Sequence, residues 1–120
     1  MKAIIEIKEN ADTVSDILAT ARKIDAGEKA PEADYHLNFT NAEVLFRELT
    51  PARLGLLEHL KALGPQSIYG LAKSLKRDYK NVHGDVTRLI ELDLIAKDGD
   101  KIRIPWEAIQ ITLATGELAA

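Results

Sequence analysis

The chain has 120 residues, 46% of them hydrophobic and 29% charged, with a formal net charge of −3 and no cysteine. That length suits one domain with an appendage rather than two full cores, and the composition is that of a globular protein with an aliphatic core. Without cysteine there are no disulfides, thiol redox chemistry or thiolate metal sites, and three scattered histidines do not replace them.

Residues 1–8 form a β-prone run carrying Ile4, Ile5 and Ile7, after which Asp12 is placed to cap a helix to about position 26. Val14, Ile17, Leu18, Ala21 and Ile24 share one face of that helix and Gly27 ends it. A polar connection containing Pro31 follows. Tyr35, Leu37 and Phe39 then alternate with His36 and Asn38 as a half-buried strand requires. Asn41 starts a helix carrying Val44, Leu45, Phe46 and Leu49. This strand-helix-strand-helix plan is too small to bury both faces of a two-stranded ribbon unaided. It needs a covering surface: the following domain, a second copy of the chain or another protein.

Thr50 before Pro51 is the strongest cap in the sequence, because proline at the first helical position gives up only an amide that would be unpaired anyway. The helix 51–63 turns Leu54, Leu57 and Leu60 to one face, flanked by Leu56 and Leu63, and Gly64-Pro65 ends it. Ser67 caps a helix with Ile68, Leu71, Ala72 and Leu75 inward, Lys76-Arg77-Asp78 is a turn, and Asp78 caps a further helix. There Val82, Val86, Leu89 and Ile90 form the inner face with Tyr79 at its edge, so Lys80, Gly84, Thr87 and Arg88 point outward, with Asn81 and His83 on the flanks. Strands at 94–97 and 101–104 enclose the hairpin signal Asp98-Gly99-Asp100. The expected class is α+β: a winged helix-turn-helix domain over 50–113, preceded by a small strand-helix-strand-helix extension over 1–49 and followed by a tail at 114–120.

Charge is distributed unevenly. Residues 1–50 carry six basic and ten acidic side chains, residues 51–120 ten and nine, and the stretch 73–88 five and two. A local basic patch suits a small footprint of phosphate contacts, weak for a single copy. In helix-turn-helix proteins the second helix enters the major groove and its early outward residues read base edges. Those residues here are Lys80, Asn81, His83, Gly84, Thr87 and Arg88. Asparagine pairs with adenine, lysine or arginine with guanine, and glycine lets the backbone come close. Ser67, Tyr69, Lys73, Lys76 and Arg77, with Lys97, Lys101 and Arg103 on the wing, stand where phosphates are expected. Each of these residues would look the same on any solvated surface, so the case is collective. Asp98 and Asp100 at the wing tip argue against minor-groove insertion, and the hairpin reads equally well as a cover for the core.

No enzyme is expected. There is no Gly-rich phosphate loop, nucleophile elbow or His-Glu-x-x-His pair, and Glu58 and His59 diverge by about 100° around their helix. No cofactor or metal is called for, and Trp106 after Pro105 reads as a core plug behind the wing. No apolar run has the roughly 20 residues of a membrane helix, and the acidic residues in MKAIIEIKEN interrupt what a signal peptide would keep apolar. The cytoplasm is the expected compartment.

The run Ala42-Glu43-Val44-Leu45-Phe46-Arg47-Glu48-Leu49-Thr50-Pro51-Ala52-Arg53, then Leu71-Ala72-Lys73-Ser74-Leu75, the string Asp78-Tyr79-Lys80-Asn81-Val82-His83-Gly84-Asp85-Val86, and Leu89, Leu92, Leu94 and Ile95 resemble the small MarR-like winged-helix regulators. The likeness is greatest to the antitoxins of TumE-type modules and covers about residues 41–113. It implies an autoregulator that binds double-stranded DNA at its own promoter, neutralises a cognate toxin and works as a homodimer. By position, Lys80, Asn81, His83 and Arg88 would read DNA while Tyr79 and Val82 seat the helix. Gly84 departs from the long polar residue such a family would place there. The first 40 residues match only in plan; their net acidity would complement a basic toxin. The competing readings are a winged helix used only for protein contacts and a freestanding repressor without a toxin.

Overall fold

The computed structural model describes residues 1–7 and 34–113. The helix expected from Asp12, the connection around Pro31 and the tail at 114–120 lie outside the described residues. The described chain is α+β, with four helices and two three-stranded sheets. It divides into two units, one taking the chain to Glu48 and again from Glu107, the other running from Leu49 to Trp106.

In the first unit, Ala3–Ile7 (β1) lies between Tyr35–Phe39 (β2) and Ile109–Thr112 (β6), and both pairings are parallel. Burial along β1 follows the pleat: Ala3 and Ile5, on one face, have no exposure at all, while Ile4 and Glu6, on the other, are half-buried. Register places Ile5 between Leu37 and Ile111. The amide of Tyr35 donates to the Lys2 carbonyl and that of Ala3 to the Ala108 carbonyl, which hold the neighbours in step. The N-terminal strand thus pairs within its own chain. Ala42–Glu48 (α1) follows β2, with the Asn41 side chain accepting from the Val44 amide at 2.9 Å and Leu45 buried; Phe46, expected on the inner face, is exposed.

β6 changes the expected division at 113. Residues 107–113 group with the first unit because β6 completes its sheet. The signal was present in the alternation Ile109-Gln110-Ile111-Thr112-Leu113, which has the period of a strand.

In the second unit, Pro51–Leu63 (α2), Gln66–Ser67 (β3), Ile68–Leu75 (α3), Tyr79–Glu91 (α4), Ala96–Asp98 (β4) and Lys101–Arg103 (β5) follow in order. Thr50 caps α2 by accepting from the Arg53 amide at 3.2 Å, and Gly64 ends it at φ 82°, a conformation open to glycine. Leu56, Leu57 and Leu60 are its buried residues, whereas Leu54 is half-buried and Leu63 exposed. Ser67 caps α3 through the Gly70 amide at 3.0 Å. Lys76 then takes the left-handed conformation at φ 56°, its amide bonded to the Lys73 carbonyl. Asp78 sits at the start of α4, but its side chain makes no capping hydrogen bond.

α4 buries Val82, Val86 and Leu89. Beyond its end Asp93 is left-handed at φ 61°, and the amides of Leu94 and Ile95 return to the Leu89 carbonyl. Leu94 and Ile95 are therefore buried ahead of the first hairpin strand, which starts at Ala96 and not at Leu94. β4 and β5 pair antiparallel around Gly99, and β3 pairs antiparallel with the other edge of β5, giving the order β3-β5-β4. Ile102 is the buried residue of β5. Trp106 is half-buried, not a core plug; its indole N–H donates to the Asp93 carbonyl at 2.9 Å and satisfies the irregular turn after α4.

Among the described residues no helix is long and apolar enough to cross a membrane. Replacing Thr50 with Ala should lower stability by about 1 kcal/mol, since the cap bond is lost while α2 remains. Urea unfolding of T50A beside T50S, which keeps the oxygen, checks this: T50S should recover most of the loss.

Candidate nucleic-acid interface

The second unit carries ten basic and seven acidic side chains, a net of +3 in a chain whose total is −3. α4 organises that charge. Burial of Val82, Val86 and Leu89 fixes the rotation of the helix about its axis, because successive residues are offset by about 100°. Lys80, Asn81, His83, Gly84 and Thr87 are consequently all exposed. Lys73 and Lys76, on α3 and in the turn before α4, are exposed as well.

The remaining expected contacts fall differently. Arg88 is half-buried and its guanidinium donates to the Glu91 carboxylate at 2.8 Å. Arg103 pairs with Asp98 across the hairpin, while Lys97 and Lys101 are exposed beside them. The Ser67 hydroxyl is engaged as the α3 cap. Tyr69 is 68% exposed. Tyr79, expected at the inner edge of α4, is 48% exposed, and its ring lies 6.3 Å from that of Tyr69 and 5.8 Å from that of His83. Three rings therefore border the basic face as a continuous row.

Arg77 is half-buried. Its Nη2 donates to Asp85 Oδ2 at 2.8 Å while Arg53 Nε donates to Asp85 Oδ1 at 3.0 Å, so one carboxylate of α4 is shared by a cation from the first turn of α2 and a cation from the turn before α4. This cluster was not foreseen from the sequence, where Arg77 reads as a phosphate contact and Asp85 as one more polar residue. The available signal was that Asp85 falls nearer the buried side of α4 than the solvent side. Burial by itself would raise the Asp85 pKa, but the hydrogen bonds from Arg77 and Arg53 and their positive charges outweigh it and hold the carboxyl below its ordinary value.

Gly84 has open space around it: a Cβ there would meet nothing within 4 Å. Among the described residues, no packing requires glycine at this position. His59 is a structural residue of the same unit, its Nε2 2.8 Å from Ser74 Oγ, joining α2 to α3.

The unit is thus a small α+β module that turns the outer face of one well-anchored helix, basic and edged with aromatic rings, toward solvent. The family model described as HVO_A0114 matches residues 48–111, more than half of the chain, and the chain belongs to that family. Comparison with the curated proteins and with the solved structures gives no match.

Two outcomes follow from this geometry. Asp85→Asn should cost about 2 kcal/mol at neutral pH, because two guanidiniums lose their shared acceptor charge. A carboxylate with a depressed folded-state pKa stabilises above the unfolded-state value and loses that contribution as the pH falls through the folded-state value. The gap between wild type and D85N, measured by urea unfolding across an acid series, should therefore narrow with acidification. Gly84→Ala should raise stability by about 1 kcal/mol, since the methyl enters open space and the helix gains a better former.

Proposed function

We propose that the chain is a sequence-specific DNA-binding transcriptional regulator, not an enzyme, in which residues 49–106 are a winged helix-turn-helix and α4 is the recognition helix. The observation that carries the reading is the exposed set Lys80, Asn81, His83, Gly84 and Thr87 on a helix whose opposite face is fully anchored. The order helix, strand, helix, helix, hairpin supports the winged assignment, with β3 closing the sheet beside β5. A helix of this diameter fits a major groove about 12 Å wide, and Lys73 and Lys76 beside it suit the phosphates flanking that groove. The hairpin is a secondary contact through Lys97 and Lys101, because Asp98 occupies Arg103.

A single footprint of this kind binds weakly, so the working form is a homodimer on half-sites about 10 base pairs apart. The likeness to MarR-like regulators and to TumE-type antitoxins supports autoregulation at the chain's own promoter in the cytoplasm. It also supports neutralisation of a basic toxin, for which the net charge of −4 over residues 1–50 is the complementary feature. Copurification with the product of the neighbouring gene tests that partner: capture that persists without residues 1–40 would remove the role given to this acidic segment.

DNA binding is tested by fluorescence anisotropy on duplex from upstream of the chain's own reading frame. With about four phosphate contacts, affinity should fall roughly a hundredfold between about 50 and 200 mM salt. Replacing Lys80 and Asn81 together with Ala should weaken specific binding by at least about tenfold while leaving the unfolding midpoint in place. Unchanged binding would reject α4 as the recognition helix, and failure to bind DNA at low salt would favour a winged helix used for protein contacts.

A further inference from the structure

The outward face of α4 is less polar than its sequence suggests, and the reason lies in where its hydrogen bonds go. Thr87 is exposed, yet its hydroxyl donates to the His83 carbonyl one turn earlier at 2.8 Å. A threonine held in this way has spent its donor on the helix backbone and presents its methyl group to the surroundings. His83 and Tyr79 continue the same row at i−4 and i−8, and their rings are 5.8 Å apart. Gly84, beside Thr87 on the outer line of the helix, leaves clear space. Arg88, the residue best suited by type to guanine, is drawn to Glu91. Asn81 is exposed on the same face, and its amide matches adenine.

We propose that Thr87, bordered by the Tyr79 and His83 rings, reads the C5-methyl group of thymine, so that the duplex preferred by α4 is rich in A·T pairs. Thymine is the base that presents a methyl in the major groove, and small apolar groups are its usual partners. The bare backbone at Gly84 lets the Thr87 methyl reach van der Waals distance of it. Asn81, on the other flank of the face, supplies the matching adenine contact. This inference rests on the DNA-binding reading and specifies which bases that site takes.

The test compares three duplexes of equal length at one fixed low salt concentration: alternating adenine-thymine, the same duplex with deoxyuridine for thymidine, and alternating guanine-cytosine. Wild type should bind the thymine duplex about fourfold more tightly than the deoxyuridine duplex, the effect of one methyl group removed from water, and should bind guanine-cytosine more weakly than the thymine duplex. Thr87→Ser keeps the hydroxyl and removes the methyl, and should erase the thymine preference. Thr87→Val keeps the methyl and should retain it. Equal wild-type affinity for the thymine and deoxyuridine duplexes would overturn methyl reading while leaving DNA binding intact. A thymine preference that survives in T87S would overturn the role of Thr87. If none of the three duplexes binds, the DNA reading falls and this inference falls with it.

Discussion

Asp85 is the point at which three elements of the second unit are tied. Its two oxygens accept from Arg53, in the first turn of α2, and from Arg77, in the turn that leads into α4. Hydrophobic packing of Val82, Val86 and Leu89 is non-directional and tolerates small rotations of a helix, whereas a carboxylate gripped at both oxygens by two charged donors tolerates few. Burial of Val82, Val86 and Leu89 sets which side of α4 faces outward, and the Asp85 bonds add a directional restraint to that rotation. Arg77 has a buried Nη1 with no hydrogen-bond partner, so Asp85 also supplies the compensating charge that makes its burial possible.

The same cluster alters the electrostatics of the face. Arg77 pairs with Asp85, Arg88 with Glu91 and Arg103 with Asp98, so three guanidiniums are engaged by carboxylates of the same unit while Lys73, Lys76, Lys80, Lys97 and Lys101 stay exposed. Lysine is a mobile point charge suited to phosphates, while arginine carries the fork that pairs bidentately with guanine. The exposed face therefore combines lysines with Asn81, His83 and a methyl-presenting threonine. The aromatic row of Tyr69, Tyr79 and His83 adds large apolar area to its border.

Much of the second unit was legible in the sequence because its signals are local. Thr50-Pro51 and Gly64 marked both ends of α2, Ser67 marked the start of α3, and the spacing of Val82, Val86 and Leu89 set the inner face of α4. Other contacts depended on partners in separate elements, which no local signal reveals. Arg77 found Asp85 eight positions away on another element, Trp106 found the Asp93 carbonyl instead of the core, and Tyr79 found Tyr69 on α3. β3 has two residues, too few for any periodicity, and the alternation over β6 marks a strand without naming its partner; each is placed through its pairing with a strand far along the chain.

By itself, the sequence determined the helices of residues 51–91, the Thr50 and Ser67 caps and the buried stripe of α4, because capping and the 3.6-residue repeat act over one or two turns. Tertiary structure alone decided that residues 109–112 return to lie beside β1 in the first unit, since parallel pairing joins segments with no local connection between them. It also decided the chemistry of the outer face of α4, because whether an arginine or a threonine is available to a ligand depends on which acceptor it reaches first in the folded chain.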